Sequence, residues 1–182
     1  MHATIADFIA EIAQNAIEAG ASAIFADLAE QDGAIEVSIS DNGPGMDAET
    51  LRRSADPFSG DRAKHPRRRV GLGLPGLRQS VSQAGGAVDV RSEPGRGTSV
   101  WFRFDLRHPD TPPLGDLPGV FVGLMSFDGD YELRVTRSQG DRFYALARGE
   151  LRQALGGLAE AGALHLARRY AAALEEDLTK GA

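Results

Sequence analysis

Two short groups of residues have the types and spacing to do chemistry. The first is Glu11-Ile-Ala-Gln-Asn15, in which an acid and an amide stand four positions apart. On a helix that spacing puts both side chains on one face. The second is Asp41-Asn42-Gly43-Pro44-Gly45, which follows a strand-like run. An acceptor beside two glycines at a strand's end makes a turn that a flat ring can approach closely. Together the two groups point to a nucleotide site.

A third group, Gly71-Leu72-Gly73-Leu74-Pro75-Gly76, formally matches the dinucleotide fingerprint GxGxxG. A Rossmann reading needs a buried strand directly before the first glycine, and His65-Pro66-Arg67-Arg68-Arg69 cannot be one. No glycine is followed by Lys and then Ser or Thr, so a Walker A loop is absent as well. What remains is a set of backbone N–H donors at a helix start, where partial positive charge favours phosphate.

Elements to position these residues can be read from periodicity. Apolar residues at Ile5, Phe8, Ile9, Ile12, Ala13 and Ala16, opened by Thr4 and Asp7, predict a helix over 5–19. Residues 23–29 and 35–40 predict a hairpin across Gln31-Asp32-Gly33, with Ile35, Val37 and Ile39 on the buried face. A short helix follows over 47–55. Residues 56–69 then lose periodicity and read as a mobile loop rich in basic residues. The spacing next predicts a helix over 74–84, with Pro75 in its first turn. Strands over 88–91 and 98–106 flank the Glu93-Pro94-Gly95-Arg96-Gly97 turn, and Thr98, Val100, Phe102, Phe104 and Leu106 share one face. Four prolines in 108–118 mark a linker. Beyond it, 120–127, 131–137 and 142–147 read as three short strands, and 149–158 and 163–178 as helices. The expected division is 1–107, a linker at 108–118, and a small accessory β-meander with helices over 119–182.

Composition bounds the rest. At 182 residues with 42% apolar content the chain buries its own core. A net charge of −6 argues against bulk binding of nucleic acid, although Arg62 to Arg69 forms a basic island. There is no cysteine, which removes disulfides and thiolate chemistry and fits a cytoplasmic protein. His2, His65, His108 and His165 show no metal-ligand spacing, and His165 reads as a structural residue of an apolar helix. No apolar run reaches the roughly 18 residues of a membrane span.

In order, the boxes are Glu11xxxAsn15, Asp41xGly43xGly45, Asp56-Pro57-Phe58, Gly71xGly73 and Gly95xGly97-Thr98. This series resembles the GHKL ATPase superfamily of gyrase-type topoisomerases, a heat-shock chaperone, histidine kinases and MutL proteins. The resemblance covers roughly residues 1–107. It implies an α/β sandwich of the Bergerat type, a mixed sheet with helices on one face, with ATP between helices under a lid. On the matching positions it implies that Asn15 supplies an amide oxygen to Mg²⁺ and that Glu11 is the base for attacking water. Asp41 would accept from the adenine amino group, Gly43 and Gly45 would let the backbone pass the base, and Thr98 would reach the same edge. Phe58, Lys64, Arg69, Gly71, Leu72 and Gly73 would complete the nucleotide site, with the lid basics meeting the triphosphate. The first box looks like the MutL type and the later ones like histidine kinases. The chain departs from the latter where Arg69 and Gly76 stand for a glycine and a larger apolar residue. No phospho-acceptor box is present, so the expected function is slow ATP hydrolysis or phosphoryl transfer to a separate protein, in the manner of a histidine kinase or an anti-sigma serine kinase. The alternative is a non-catalytic, ATP-gated binding module. The C-terminal elements are expected to serve docking or homodimerisation, or else to add packing to the sandwich, with docking favoured, and an associated chain or further segment is expected before the first helix.

Overall fold

The structure is a computed structural model that describes residues 4–54 and 73–180. Phe58, Lys64, Arg69, Gly71 and Leu72 lie outside the described residues. Helix α1 spans Ile5–Glu18 and opens with a full capping box: the Thr4 side chain accepts from the Asp7 backbone and the Asp7 carboxylate accepts from the Thr4 backbone. Strands β1 (Ala23–Gln31) and β2 (Ala34–Asp41) pair antiparallel across the two-residue turn Asp32-Gly33. Both turn residues have positive φ, 55° and 75°, the geometry that matches the twist of a tight hairpin.

The short helix α2 covers Ala48–Ser54 and α3 covers Leu74–Gln83. Strands β3 (Ala87–Glu93) and β4 (Gly97–Asp105) form the second hairpin. Helix α4 (Leu117–Met125), strands β5 (Glu132–Gln139) and β6 (Arg142–Ala147), and helices α5 (Arg148–Leu155) and α6 (Ala161–Thr179) complete the chain. The strands form one mixed sheet in the order β3-β4-β2-β1-β5-β6. Within it β5 runs parallel to β1, and the other neighbouring pairs are antiparallel. The sheet therefore continues past the proline-bearing segment without a break.

Alternation places Ile24, Ala26, Leu28, Ile35, Val37, Ile39, Val100, Phe102, Phe104, Leu133 and Val135 on the buried face. They meet Ile5, Phe8 and Ile9 of α1 together with Phe121 and Val122 of α4. The prolines at 112 and 113 belong to a strap on α1: Pro113 and Leu114 carbonyls accept from the Ile5 and Ala6 amides, each at 2.9 Å. Two of the first unpaired amides of α1 are satisfied in this way.

One expected element is corrected. Residues 120–127 read as a strand but lie mostly in α4, which starts at Asp116, whose carboxylate accepts from the Gly119 amide at 2.9 Å. A run that is apolar on every side carries no period to separate a buried strand from a buried helix. Here the capping Asp116 and Pro118 in the first turn decide for helix.

Two buried arginines hold this C-terminal part. Arg137 on β5 has no exposed surface and bridges Glu30 of β1 at 2.5 Å and Glu175 of α6 at 3.3 Å. Tyr144 of β6 donates to the same Glu175 at 2.7 Å. Burial, and then the adjoining carboxylate, raise the Tyr144 phenol well above its ordinary range. Arg148 donates to the carbonyls of Met125, Phe127, Gly129 and Tyr131 at 2.7–3.2 Å and stacks over the Tyr131 ring. It gathers the loop between α4 and β5 around one cation at the negative end of α4. Arg148→Met should therefore lower stability by about 3 kcal/mol, since it strips donors from several buried carbonyls. Arg134→Met, at an exposed site, should change it by less than about 0.5 kcal/mol. Urea denaturation of both variants checks the contrast.

Candidate functional site

Of the residues singled out from the sequence, Asp41 and Thr98 lie together at one end of the buried face. Asp41 ends β2 and Thr98 is the second residue of β4; Ser40 pairs with Ser99, so Asp41 and Thr98 are the next neighbours along the same register. Thr98 is also the cross-strand partner of Ser92 on β3. Ser92, Thr98 and Asp41 thus continue the rows of Val90, Val100 and Ile39 and face the helices. All three are half-buried.

Local bonds fix the Asp41 turn. One carboxylate oxygen of Asp41 accepts from the Gly43 amide at 2.7 Å, which sets the orientation of the carboxylate. Asn42 is tied to the start of β1: its amide oxygen accepts from the Ser22 and Ala23 amides, both at 2.9 Å, and its nitrogen donates to the Ser22 hydroxyl at 2.9 Å.

Two glycines let the turns on β2 and β4 interlock. Gly97 has φ +90°, and a Cβ there would stand 1.9 Å from the Asp41 carbonyl oxygen. Gly45 has φ +65°, and its Cβ would stand 1.9 Å from the carbonyl oxygen of Glu93. The neighbouring Gly95 amide donates to the Pro44 carbonyl at 2.7 Å. In this structure the tightest constraint on Gly45 is protein backbone, and the result is a rigid floor beneath Asp41.

Glu11 and Asn15 lie one turn apart on α1, both half-buried. Glu11 reaches the start of α3: a Cβ on Gly73 would stand 3.1 Å from Glu11 Oε1. Gly73 is the cap residue of α3 and has no side chain to offer the first amides, with Pro75 following in the first turn. A helix start of this kind can receive an anion. The structure thus brings Asp41 and Thr98 to one face and Glu11 beside Gly73. His165 is exposed on α6, away from the buried face.

Among the described residues, no cluster of three or more His, Cys, Asp or Glu side chains could hold a metal ion.

Sequence reasoning missed Ser92 and Asn42. Ser92 sits opposite Thr98 across the short 93–97 turn, so counting the hairpin register backwards from Thr98 would have found it.

Comparison with known proteins adds a family. The profile described as histidine kinase-, DNA gyrase B-, and HSP90-like ATPase matches residues 3–108. Among curated proteins, the chain is 38% identical over 71 residues to the sensor histidine kinase ZraS of Klebsiella oxytoca, covering 39% of this chain and 14% of that protein. It is 35% identical over 78 residues to the non-motile and phage-resistance protein of Caulobacter vibrioides, covering 42% of this chain and 9% of that protein. Among solved structures it is similar to full-length ShkA in complex with AMPPNP, at 27% identity and a TM-score of 0.43, over 54% of this chain and 20% of that one. The match spans a small part of each of these relatives.

The interlocked turns make a direct test. Gly97→Ala combines a left-handed backbone with a collision against the Asp41 carbonyl, and should cost about 3 kcal/mol. Gly95→Ala, with φ +76° but nothing within 4 Å of the added carbon, should cost about 1 kcal/mol. Urea midpoints of the two variants measure the difference.

Proposed function

Since the chain belongs to the histidine kinase-, DNA gyrase B- and HSP90-like ATPase family, we propose that it binds an adenine nucleotide with Mg²⁺ and either hydrolyses ATP slowly or passes its γ-phosphoryl group to a separate protein. The observation that carries this reading is the placement of Asp41 and Thr98 on one face at neighbouring strand ends, with Glu11 beside the glycine that starts α3. Asn15 would hold the Mg²⁺, which would supply charge neutralisation for the phosphates.

The side chains then have separate tasks. Asp41 accepts from the adenine amino group, its carboxylate already oriented by the Gly43 amide. Asn15 offers an amide oxygen to the cation. Glu11 orients the attacking water or receives its proton. The first amides of α3, opened by Gly73, receive phosphate oxygens. Phe58, Lys64, Arg69, Gly71 and Leu72 join the proposal through the sequence match, the basic pair as counter-charge to the triphosphate. Phosphoryl transfer asks mostly for positioning and charge neutralisation. The rigid floor under Asp41 and the strap on α1 supply such positioning. No helix among the described residues is long and apolar enough to cross a membrane, and a cysteine-free chain with this chemistry fits a cytoplasmic setting.

Binding and turnover separate by residue. Asp41→Asn should weaken ATP binding by about 10- to 100-fold, the value of a charged hydrogen bond, as read by calorimetry. Asn15→Ala should abolish Mg²⁺-dependent ATP binding while the circular dichroism spectrum stays unchanged. Glu11→Gln should keep ATP bound and slow ADP release by about 100-fold, because a base acts in the transition state. If the wild-type chain releases no ADP above background, with or without candidate partner proteins, and Glu11→Gln behaves identically, the protein is an ATP-gated binding module instead.

A further inference from the structure

A single hydroxyl joins three parts of the candidate site. Ser92 Oγ accepts from the Met46 amide at 2.8 Å, lies 3.1 Å from the Gly97 carbonyl oxygen and 2.9 Å from Thr98 Oγ1. Ser92 has one proton and two lone pairs to distribute. One lone pair is taken by the Met46 amide. The carbonyl of Gly97 can only accept, so contact with it uses the Ser92 proton. The lone pair that remains then accepts the proton of Thr98.

The opposite arrangement gives the Ser92 proton to Thr98 and forfeits the bond to Gly97, a buried residue. The first arrangement makes three hydrogen bonds and the second makes two. The arrangement with the additional hydrogen bond is the favoured one. Thr98 therefore turns its proton inward to Ser92 and presents only lone pairs to the site.

We infer that Ser92 is a positioning residue that fixes the Thr98 hydroxyl as an acceptor and thereby sets the choice of adenine over guanine; this rests on the adenine-nucleotide reading above. The exocyclic amino group of adenine carries two protons. Asp41 takes one, its carboxylate held by the Gly43 amide, and Thr98, the neighbour of Asp41 along the register, takes the other. Guanine puts a carbonyl oxygen at that position. Two fixed acceptors facing that oxygen reject it. Without Ser92, the Thr98 hydroxyl turns freely and can donate to guanine as well as accept from adenine.

The test is a titration of ATP and of GTP into wild type, Ser92→Ala, Ser92→Thr and Thr98→Val, with melting temperature followed for each. Ser92→Ala should keep ATP binding within a few-fold of wild type, while the preference for ATP over GTP falls about tenfold, the worth of one hydrogen bond. Ser92→Thr, which keeps the hydroxyl, should restore the preference. Thr98→Val, nearly equal in shape but without the acceptor, should lose it and serves as the reading should Ser92→Ala fail to fold. An unchanged ATP preference in folded Ser92→Ala, or in Thr98→Val, overturns the role of Ser92 and leaves nucleotide binding standing. Wild type that binds no ATP overturns the nucleotide reading, and the inference with it.

Discussion

Backbone pressed against backbone is the constraint on which this site depends. Gly97 and the Asp41 carbonyl, and Gly45 and the Glu93 carbonyl, approach so closely that no side chain fits between them. Such contact leaves the exit of β2 and the entry of β4 a single relative position. Asp41 and Thr98 are carried on those two strand ends, so their spacing is inherited from the interlock rather than from their own side chains. Asn42 extends the same fixation to β1 through the Ser22 and Ala23 amides. Ser92 extends it to β3 through Thr98, and to the chain leaving the turn through Met46.

The other half of the site is held from further along the chain. Helix α1, which carries Glu11 and Asn15, has its first amides satisfied by Pro113 and Leu114, beyond the segment that matches the family. Behind it packs α4, whose C-terminal end is gathered by Arg148. Strand β5 and helix α6 are locked to β1 by Arg137 through Glu30 and Glu175. A buried cation with matched acceptors adds little net stability beside an apolar alternative, but it strongly penalises any misplaced partner. The region after the prolines is in this sense part of the scaffold that orients α1.

Much of the fold was legible because the deciding signals were local. Thr4 and Asp7 announced the start of α1, Asp32-Gly33 announced a hairpin turn, and the alternation of Thr98 to Leu106 announced β4 with its buried face. The α4 segment was not legible by period, since Leu117 to Met125 is apolar all round, and its polar start signal was outweighed by the β-branched and aromatic run. The burial of Arg137 has no local signal: it falls on the same parity as Leu133 and Val135 and is wholly buried. Only a partner distant in sequence, Glu30 or Glu175, makes that burial possible. The box residues were legible as types at spacings, and Asp41 and Thr98 do share one face. Ser92 was not, because its role exists only once the strands are paired in register.

The parallel pairing of β5 with β1 has a consequence for the order in which the protein is made. Strand β1 leaves the ribosome about a hundred residues before β5, its neighbour on one side. Throughout that interval β2 can cover one side of β1, and the other remains an open edge of alternating apolar residues: Ile24, Ala26 and Leu28. An exposed edge of this kind invites pairing with another chain. The nascent protein therefore passes through a stage in which its central strand is open on one side, and arrival of the Arg137 strand closes it.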